Sequence, residues 1–197
     1  MSERALIVGI TGASGTLIGV RLLEALRASG VPTRLIMTRP AEITLAHETD
    51  LKLKAIRELA DVVHAIDDVG AACASGSFPA RGMIIAPCSM KSLAEIATGV
   101  TSNLLTRTAD VMLKERRRLV VVPRETPLHS GHLRNMLTVS ELGAIVAPPV
   151  PAFYTRPETI EDVVGQTVGR LLDLFDLDVS AVRRWGVDLG PGVRRAG

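Results

Sequence analysis

Two cysteines in 197 residues, Cys73 and Cys88, are too few for a disulfide framework. Both stand among apolar or small neighbours, where buried free thiols are expected. Aromatic residues make up 3% of the chain, so rings on which nucleic-acid bases could stack are scarce. Charge of one sign is scarce too, with a formal net charge of +2. The short basic clusters Arg116-Arg117-Arg118, Arg183-Arg184 and Arg194-Arg195 read as solvated helix ends or tails. No apolar run reaches membrane-spanning length and no leader pattern precedes the first strand, so a cytoplasmic location is expected. The chain contains no GxGxxG, GxxxxGK[ST] or GxSxG string, which removes the dinucleotide fingerprint, the Walker loop and the nucleophile elbow. His129 and His132 have no cysteine or carboxylate at metal-site spacing, so no metal centre is expected.

What is abundant is apolar residue, 47% of the chain. Such an excess in a soluble-looking chain suggests faces buried against other subunits. The most informative stretch runs from Arg4 to Gly19. An apolar strand leads into the small residues Thr11, Gly12, Ala13, Ser14 and Gly15, and an amphipathic helix follows. Small residues let backbone approach an anion, and a new helix N-terminus offers unpaired N–H groups. The expectation is a phosphate cradle at this turn.

The rest alternates in the same way. Strands are expected at Arg4 to Ile10, Thr33 to Met37, Val62 to Ile66, Arg81 to Ala86, Leu119 to Val122 and Ala144 to Ala147. Pro87, Pro123 and Pro148 mark the ends of the last three. Helices are expected at Thr16 to Ser29, Ala41 to Ala60 with a break near Glu48-Thr49-Asp50, Met90 to Thr98, Asn103 to about Arg117, Ser130 to Leu142 and Pro157 to Phe175. This pattern predicts an α/β fold, a three-layer Rossmann-like sandwich on a mostly parallel sheet. Residues 1–176 read as one domain and 177–197 as a C-terminal arm carrying Trp185.

In such sheets ligands bind beyond the C-terminal ends of the strands. Those ends carry TGASG, Thr38-Arg39, Ser75 to Ser77, Pro87 to Ser92, Pro123 to Pro127 and Pro148 to Tyr154. Ser14, Ser89 and Lys91 are candidate phosphate or carbonyl ligands, although each serine is equally an ordinary helix cap. Arg124, directly after a buried strand, is an anion-binding candidate whose plain alternative is a buried ion pair with Glu125 or another carboxylate. Glu48 and Glu141 are candidate acid–base groups or simply solvated helix carboxylates. Tyr154 and Arg170 are candidates for ligand contact or for packing and exposure.

Several strings in order carry a resemblance across Arg4 to Trp185. They include VGITGASG (Val8–Gly15), HETD (His47–Asp50), SGSF (Ser75–Phe78), PCSMKSLAEIATG (Pro87–Gly99), RETPL (Arg124–Leu128) and GAIVAPPVPAFYTRP (Gly143–Pro157). With these the chain resembles the UbiX-like flavin prenyltransferases, a flavoprotein type. The resemblance implies transfer of a dimethylallyl group from dimethylallyl monophosphate to reduced FMN, with bonds at N5 and C6, and no metal. The product, prenylated FMN, would serve a UbiD-like decarboxylase in quinone biosynthesis or aromatic-acid metabolism. A homo-oligomer, a dodecamer, is implied as well.

By the same resemblance Gly12, Ala13, Ser14, Thr38, Ser89, Met90, Lys91, Ser92 and Arg124 would bind FMN. Thr38 replaces the family's usual serine at the phosphate. Tyr154, Arg170 and Trp185 would hold or cover the prenyl donor, and Glu48, Glu141, Ser14 and Arg124 would act in catalysis. The family's further phosphate-contacting lysine is expected within His129 to Leu133, where no lysine stands. Two alternatives remain open from sequence. One is a related FMN-dependent cysteine decarboxylase, which PCSMK disfavours because the expected Asn-containing flavin motif is missing. The other is a non-catalytic FMN carrier.

Overall fold

Apolar β-branched runs flanked by proline and glycine form the strands, as their period and length predict. The computed structural model describes residues 4–178, 182–185 and 187–190. The strands are β1 (Leu6–Ile10), β2 (Thr33–Met37), β3 (Val62–His64), β4 (Gly82–Cys88), β5 (Arg118–Pro123) and β6 (Ile145–Val146). They form one sheet in the order β3-β2-β1-β4-β5-β6, and every neighbouring pair is parallel. Parallel strands need crossovers, and right-handed crossovers place helices on both faces. Complete burial of β1 and β4 follows from that.

The helices are α1 (Thr16–Ala28), α2 (Arg39–Glu48), α3 (Leu53–Arg57), α4 (Met90–Thr98), α5 (Leu104–Lys114), α6 (Ser130–Glu141) and α7 (Ile160–Asp173). Alternation along the strands sorts the core. Ile7, Ile36, Met83, Ile85, Leu119 and Val121 join Leu93 and Ile96 of α4 and Leu104, Leu105 and Met112 of α5 in one cluster. Helix α1 lies against β1, β2 and β4, with Ile18, Val20, Leu22, Leu23 and Leu26 buried. Burying side chains of this size stabilises by about 1.5–3 kcal/mol each before entropy is counted.

Two compact units result, one from the start to Pro149 and one from Val150 onward. The first contains the whole sheet. The second contains α7, whose buried residues Val164, Val168, Leu171 and Leu172 recur at helical spacing. Of the expected arm, residues 179–181, 186 and 191–197 lie outside the described residues.

Some boundaries differ from expectation for local reasons. β4 runs through Pro87 to Cys88 with a register irregularity against β5 between Ile85 and Cys88, so the proline lies within the strand rather than after it. The second helix breaks where expected, with residues 49–52 between α2 and α3, but α3 ends at Arg57, short of Ala60. Helix α5 stops at Lys114, and Arg116 beyond it takes a left-handed conformation. Pro157 precedes α7 rather than occupying its first turn. The helix starts after Thr159, whose side chain and that of Asp162 form a reciprocal cap.

Candidate functional site

The strand order reverses between β1 and β4, because the chain builds outward from β1 to β3 and then returns to start β4 beside β1. In an open parallel sheet that reversal opens a crevice at the C-terminal strand ends. One hydroxyl closes its floor. Thr11, fully buried after β1, donates from Oγ1 to the Pro87 carbonyl at 2.8 Å. The same oxygen accepts from the Ser89 N–H at 2.7 Å. The β1 and β4 exits are therefore held together by a side chain that satisfies both.

Above this floor lies a cavity of about 630 Å³, lined in part by Gly12, Thr38, Ser89, Lys91, Ser92 and Asn103. Thr38, Ser89 and Asn103 are the N-caps of α2, α4 and α5, and each accepts a first-turn N–H. Three helix N-termini thus converge on one space. Each carries a partial positive charge of about +0.5 at its unbonded N–H groups. The formal charges at the rim pair off, Arg39 with Asp67 at 3.2 Å and Lys91 with Glu95 at 3.6 Å. Peptide dipoles therefore set the sign of the cavity, and it suits an anion such as a phosphate monoester. Gly12 is required at its edge, since a Cβ there would stand 2.3 Å from Pro40 Cβ.

The expected cradle at the start of α1 is filled by the protein itself. Glu48, at the end of α2, accepts from the Gly15 N–H at 2.9 and 3.0 Å, the Thr16 N–H at 2.9 Å and the Thr16 hydroxyl at 2.7 Å. Gly15, with φ 94°, is the α1 N-cap and has no side chain to do this. Burial raises the Glu48 pKa, but bonds from the Ser14 and Thr16 hydroxyls and the Gly15 and Thr16 N–H groups outweigh it, and the net shift is downward. The α1 terminus therefore holds an ionised carboxylate, and the anion-binding termini of the cavity belong to α2, α4 and α5.

The fold brings Gly12, Thr38, Ser89, Lys91 and Ser92 together as sequence predicted, with Ser14 beside Glu48. Ala13 is buried, and Met90 packs on the core cluster. The Arg124 N–H bonds the Cys88 carbonyl at 3.2 Å, tying the β5 exit to the β4 exit, and its side chain is exposed. The alternative pairing with Glu125 does not form. Glu125 instead accepts from the Thr126 N–H at 3.0 Å. Glu141 ends α6, about 18 Å of helix from that helix's start. Within one chain it is not brought to the cavity.

In the second unit Tyr154 and Trp185 meet edge to face, with ring centroids 5.7 Å apart. Arg170 pairs with Asp173 at 2.6 Å, and Arg184 grips the same carboxylate at 2.7 and 2.8 Å. Both cysteines are buried and free. Burial pushes the Cys88 thiol up to about 12, so it is no nucleophile. Arg39 lies in a strand-end segment that the sequence points to, but Asp67, Glu95 and Asn103 are cavity residues that the sequence does not single out. Glu95 was findable, because it follows Lys91 by one helical turn and shares its face.

The donor set fits flavin mononucleotide: dipolar N–H groups for the phosphate, hydroxyl and carboxylate groups for a polyol, and volume for a ring system. The Flavoprotein family model matches residues 1–172. The flavin prenyltransferase UbiX of Thauera aromatica is 54% identical over 91% of this chain and 93% of its own length. A crystal structure of AnUbiX (PadA1) with FMN and dimethylallyl pyrophosphate has a TM-score of 0.92 and 54% identity, covering 94% of this chain and 98% of that one. The dodecameric FMN-dependent Ubix-like decarboxylase from Escherichia coli O157:H7 has a TM-score of 0.91 and 48% identity, over 93% of this chain and 100% of that one. With its crevice, its dipolar cavity and these likenesses, the chain belongs to the Flavoprotein family and, within it, to the UbiX-like flavin prenyltransferases.

Proposed function

We propose that this chain transfers a dimethylallyl group from dimethylallyl monophosphate to reduced FMN and releases prenylated FMN for a UbiD-like decarboxylase. The observation that carries this reading is the cavity at the strand-order reversal, where three helix N-termini and paired rim charges fit a flavin phosphate. Reduced FMN, as acceptor substrate, supplies two nucleophilic positions, N5 and C6. The donor's allylic C–O bond breaks and phosphate leaves with the bonding pair. Two flavin protons are displaced; one is taken up at the prenyl double bond and one by the phosphate.

The chain's own residues bind, orient and move protons. The first-turn N–H groups of Met90 and Lys91 precede the internal bonding of α4 and are oriented for a ligand. Glu48, held ionised by its contacts at α1, is the proton acceptor in this reading, with Ser14 beside it. Glu141 is a second acid–base group. Arg124, exposed and without an ion pair among the described residues, stabilises developing negative charge. Tyr154 and Arg170 grip the donor phosphate and Trp185 excludes water. The working form is a homo-oligomer, a dodecamer. No helix among the described residues is long and apolar enough to cross a membrane, and a cytoplasmic location is part of the reading.

The test is a mass spectrum of the flavin after anaerobic incubation of the protein with reduced FMN and dimethylallyl monophosphate. A flavin heavier by the prenyl fragment is expected. Unmodified FMN recovered from folded, flavin-bound protein, with the monophosphate and then with the pyrophosphate donor, would overturn the transferase reading in favour of a carrier.

A further inference from the structure

Glu95 is an anomaly in the cavity wall. It lies on α4, six residues beyond the Ser89 cap, and lines the cavity. Its side chain is only 14% exposed. One carboxylate oxygen, Oε1, stands 3.6 Å from Lys91 Nζ, while that lysine is 79% exposed. So exposed a partner contributes little and does not account for the burial of the acid. The other oxygen, Oε2, is buried and has no hydrogen-bond partner. A buried carboxylate oxygen left unbonded costs free energy, and native structures leave few of them. Oε2 is closed off from the cavity as well, and Oε1 lies beyond hydrogen-bond distance of Lys91, so a donor in the cavity that Glu95 lines would make the carboxylate's first hydrogen bond.

The donor's chemistry follows from the surroundings. A carboxylate repels a phosphate, so its partner is a neutral donor. In this reading the phosphate-binding N–H groups sit at the first turns of α2, α4 and α5, and Glu95 is about 6–7.5 Å further along α4 than the N–H groups of Lys91 and Met90. In flavin mononucleotide the groups within that reach of the phosphate are the ribityl hydroxyls. We infer that Glu95 is a specificity residue for the flavin, its carboxylate accepting a hydrogen bond from a ribityl hydroxyl of FMN bound in the cavity. This rests on the flavin-binding reading of the cavity and assigns to it the residue that recognises the polyol. An aliphatic chain ending in phosphate would satisfy the helix N-termini but leave Glu95 unbonded, so the carboxylate selects for a hydroxylated linker.

Two roles for Glu95 predict opposite signs. As a mere negative charge near a phosphate site, its removal tightens FMN. As a hydrogen-bond acceptor, its removal weakens FMN. The experiment titrates FMN, and its 2′-, 3′- and 4′-deoxyribityl analogues, into wild type, Glu95→Ala and Glu95→Gln, reading flavin fluorescence quenching. Glu95→Ala is expected to weaken FMN about tenfold or more. Glu95→Gln, which keeps an acceptor oxygen, should lose less. For one deoxy analogue, wild type and Glu95→Ala should bind alike. Binding of FMN by Glu95→Ala within twofold of wild type, or tighter, overturns the inference. So does an equal loss for FMN and all three analogues, which would mean that Glu95 only places Lys91. Failure of wild type to bind FMN at all would instead overturn the flavin reading beneath it.

Discussion

Glu48 shows how one carboxylate can serve two ends. Its oxygens take the N–H groups of Gly15 and Thr16 and the Thr16 hydroxyl, so it caps a helix 32 residues earlier in the chain. Those bonds favour the charged form, and its pKa lies below the ordinary 4.5. The stabilisation is therefore complete above that ordinary value and is lost as pH falls through the lowered folded-state value. Glu48→Gln should lower stability by about 1 kcal/mol at neutral pH, the scale of a lost N-cap, since the group is largely exposed. The difference from wild type in thermal melting should shrink towards zero in acid. The same variant should slow prenyl transfer while FMN still binds, because the cavity's own helix termini are untouched. A melting difference that persists unchanged in acid would mean that the charge on Glu48 does not contribute to the cap.

At the scale of elements, the site is a meeting of helix beginnings. β2 feeds α2 and β4 feeds α4, so both N-termini face the crevice by topology alone. Helix α5 joins them through its own cap. Asn103 Oδ1 accepts from the Thr106 N–H at 3.1 Å, and the Thr106 hydroxyl accepts from the Asn103 N–H at 3.4 Å. Asn103→Ala should cost about 1 kcal/mol in urea unfolding. It should also weaken FMN, because the first turn of α5 frays where it borders the cavity. Reduced stability with unchanged FMN affinity would place α5 outside the flavin site. Sequence alone marks Asn103 only as a helix opener. That it also borders a ligand cavity depends on α5 packing beside α4, and that contact involves side chains from both helices.

For the whole molecule, the apolar excess reappears on the outside. Helix α6 buries only Val139 among its fully covered positions. Leu133 and Leu137, four residues apart on the same face, are 53% and 59% exposed, and Leu128 just before the helix is 40% exposed. In the proposed oligomer an apolar stripe of this kind is the face that a second copy would cover. The double variant Leu133→Glu and Leu137→Glu should shift the protein to smaller assemblies in light scattering coupled to size exclusion, with the fold retained by circular dichroism. An unchanged assembly mass would show that α6 faces solvent in the oligomer.

Much of this was legible in the chain. Short apolar runs bounded by proline and glycine, alternating with helical periods, determine a parallel α/β sheet, since both faces of such strands must be buried. The loops that would carry a ligand followed from that, as did Gly12, Thr38, Ser89, Lys91 and Ser92 in one place. Tertiary structure decided what depends on contacts between distant residues. Strand order comes from which crossovers pack, and only then does the reversal lie between β1 and β4. Whether a helix N-terminus is open or filled depends on what reaches it. Gly15 and Thr16 look like an anion cradle in sequence, yet Glu48 arrives from 32 residues away and occupies them. Local periodicity reports a residue's face; the partner that meets that face is set by the packing of the whole chain.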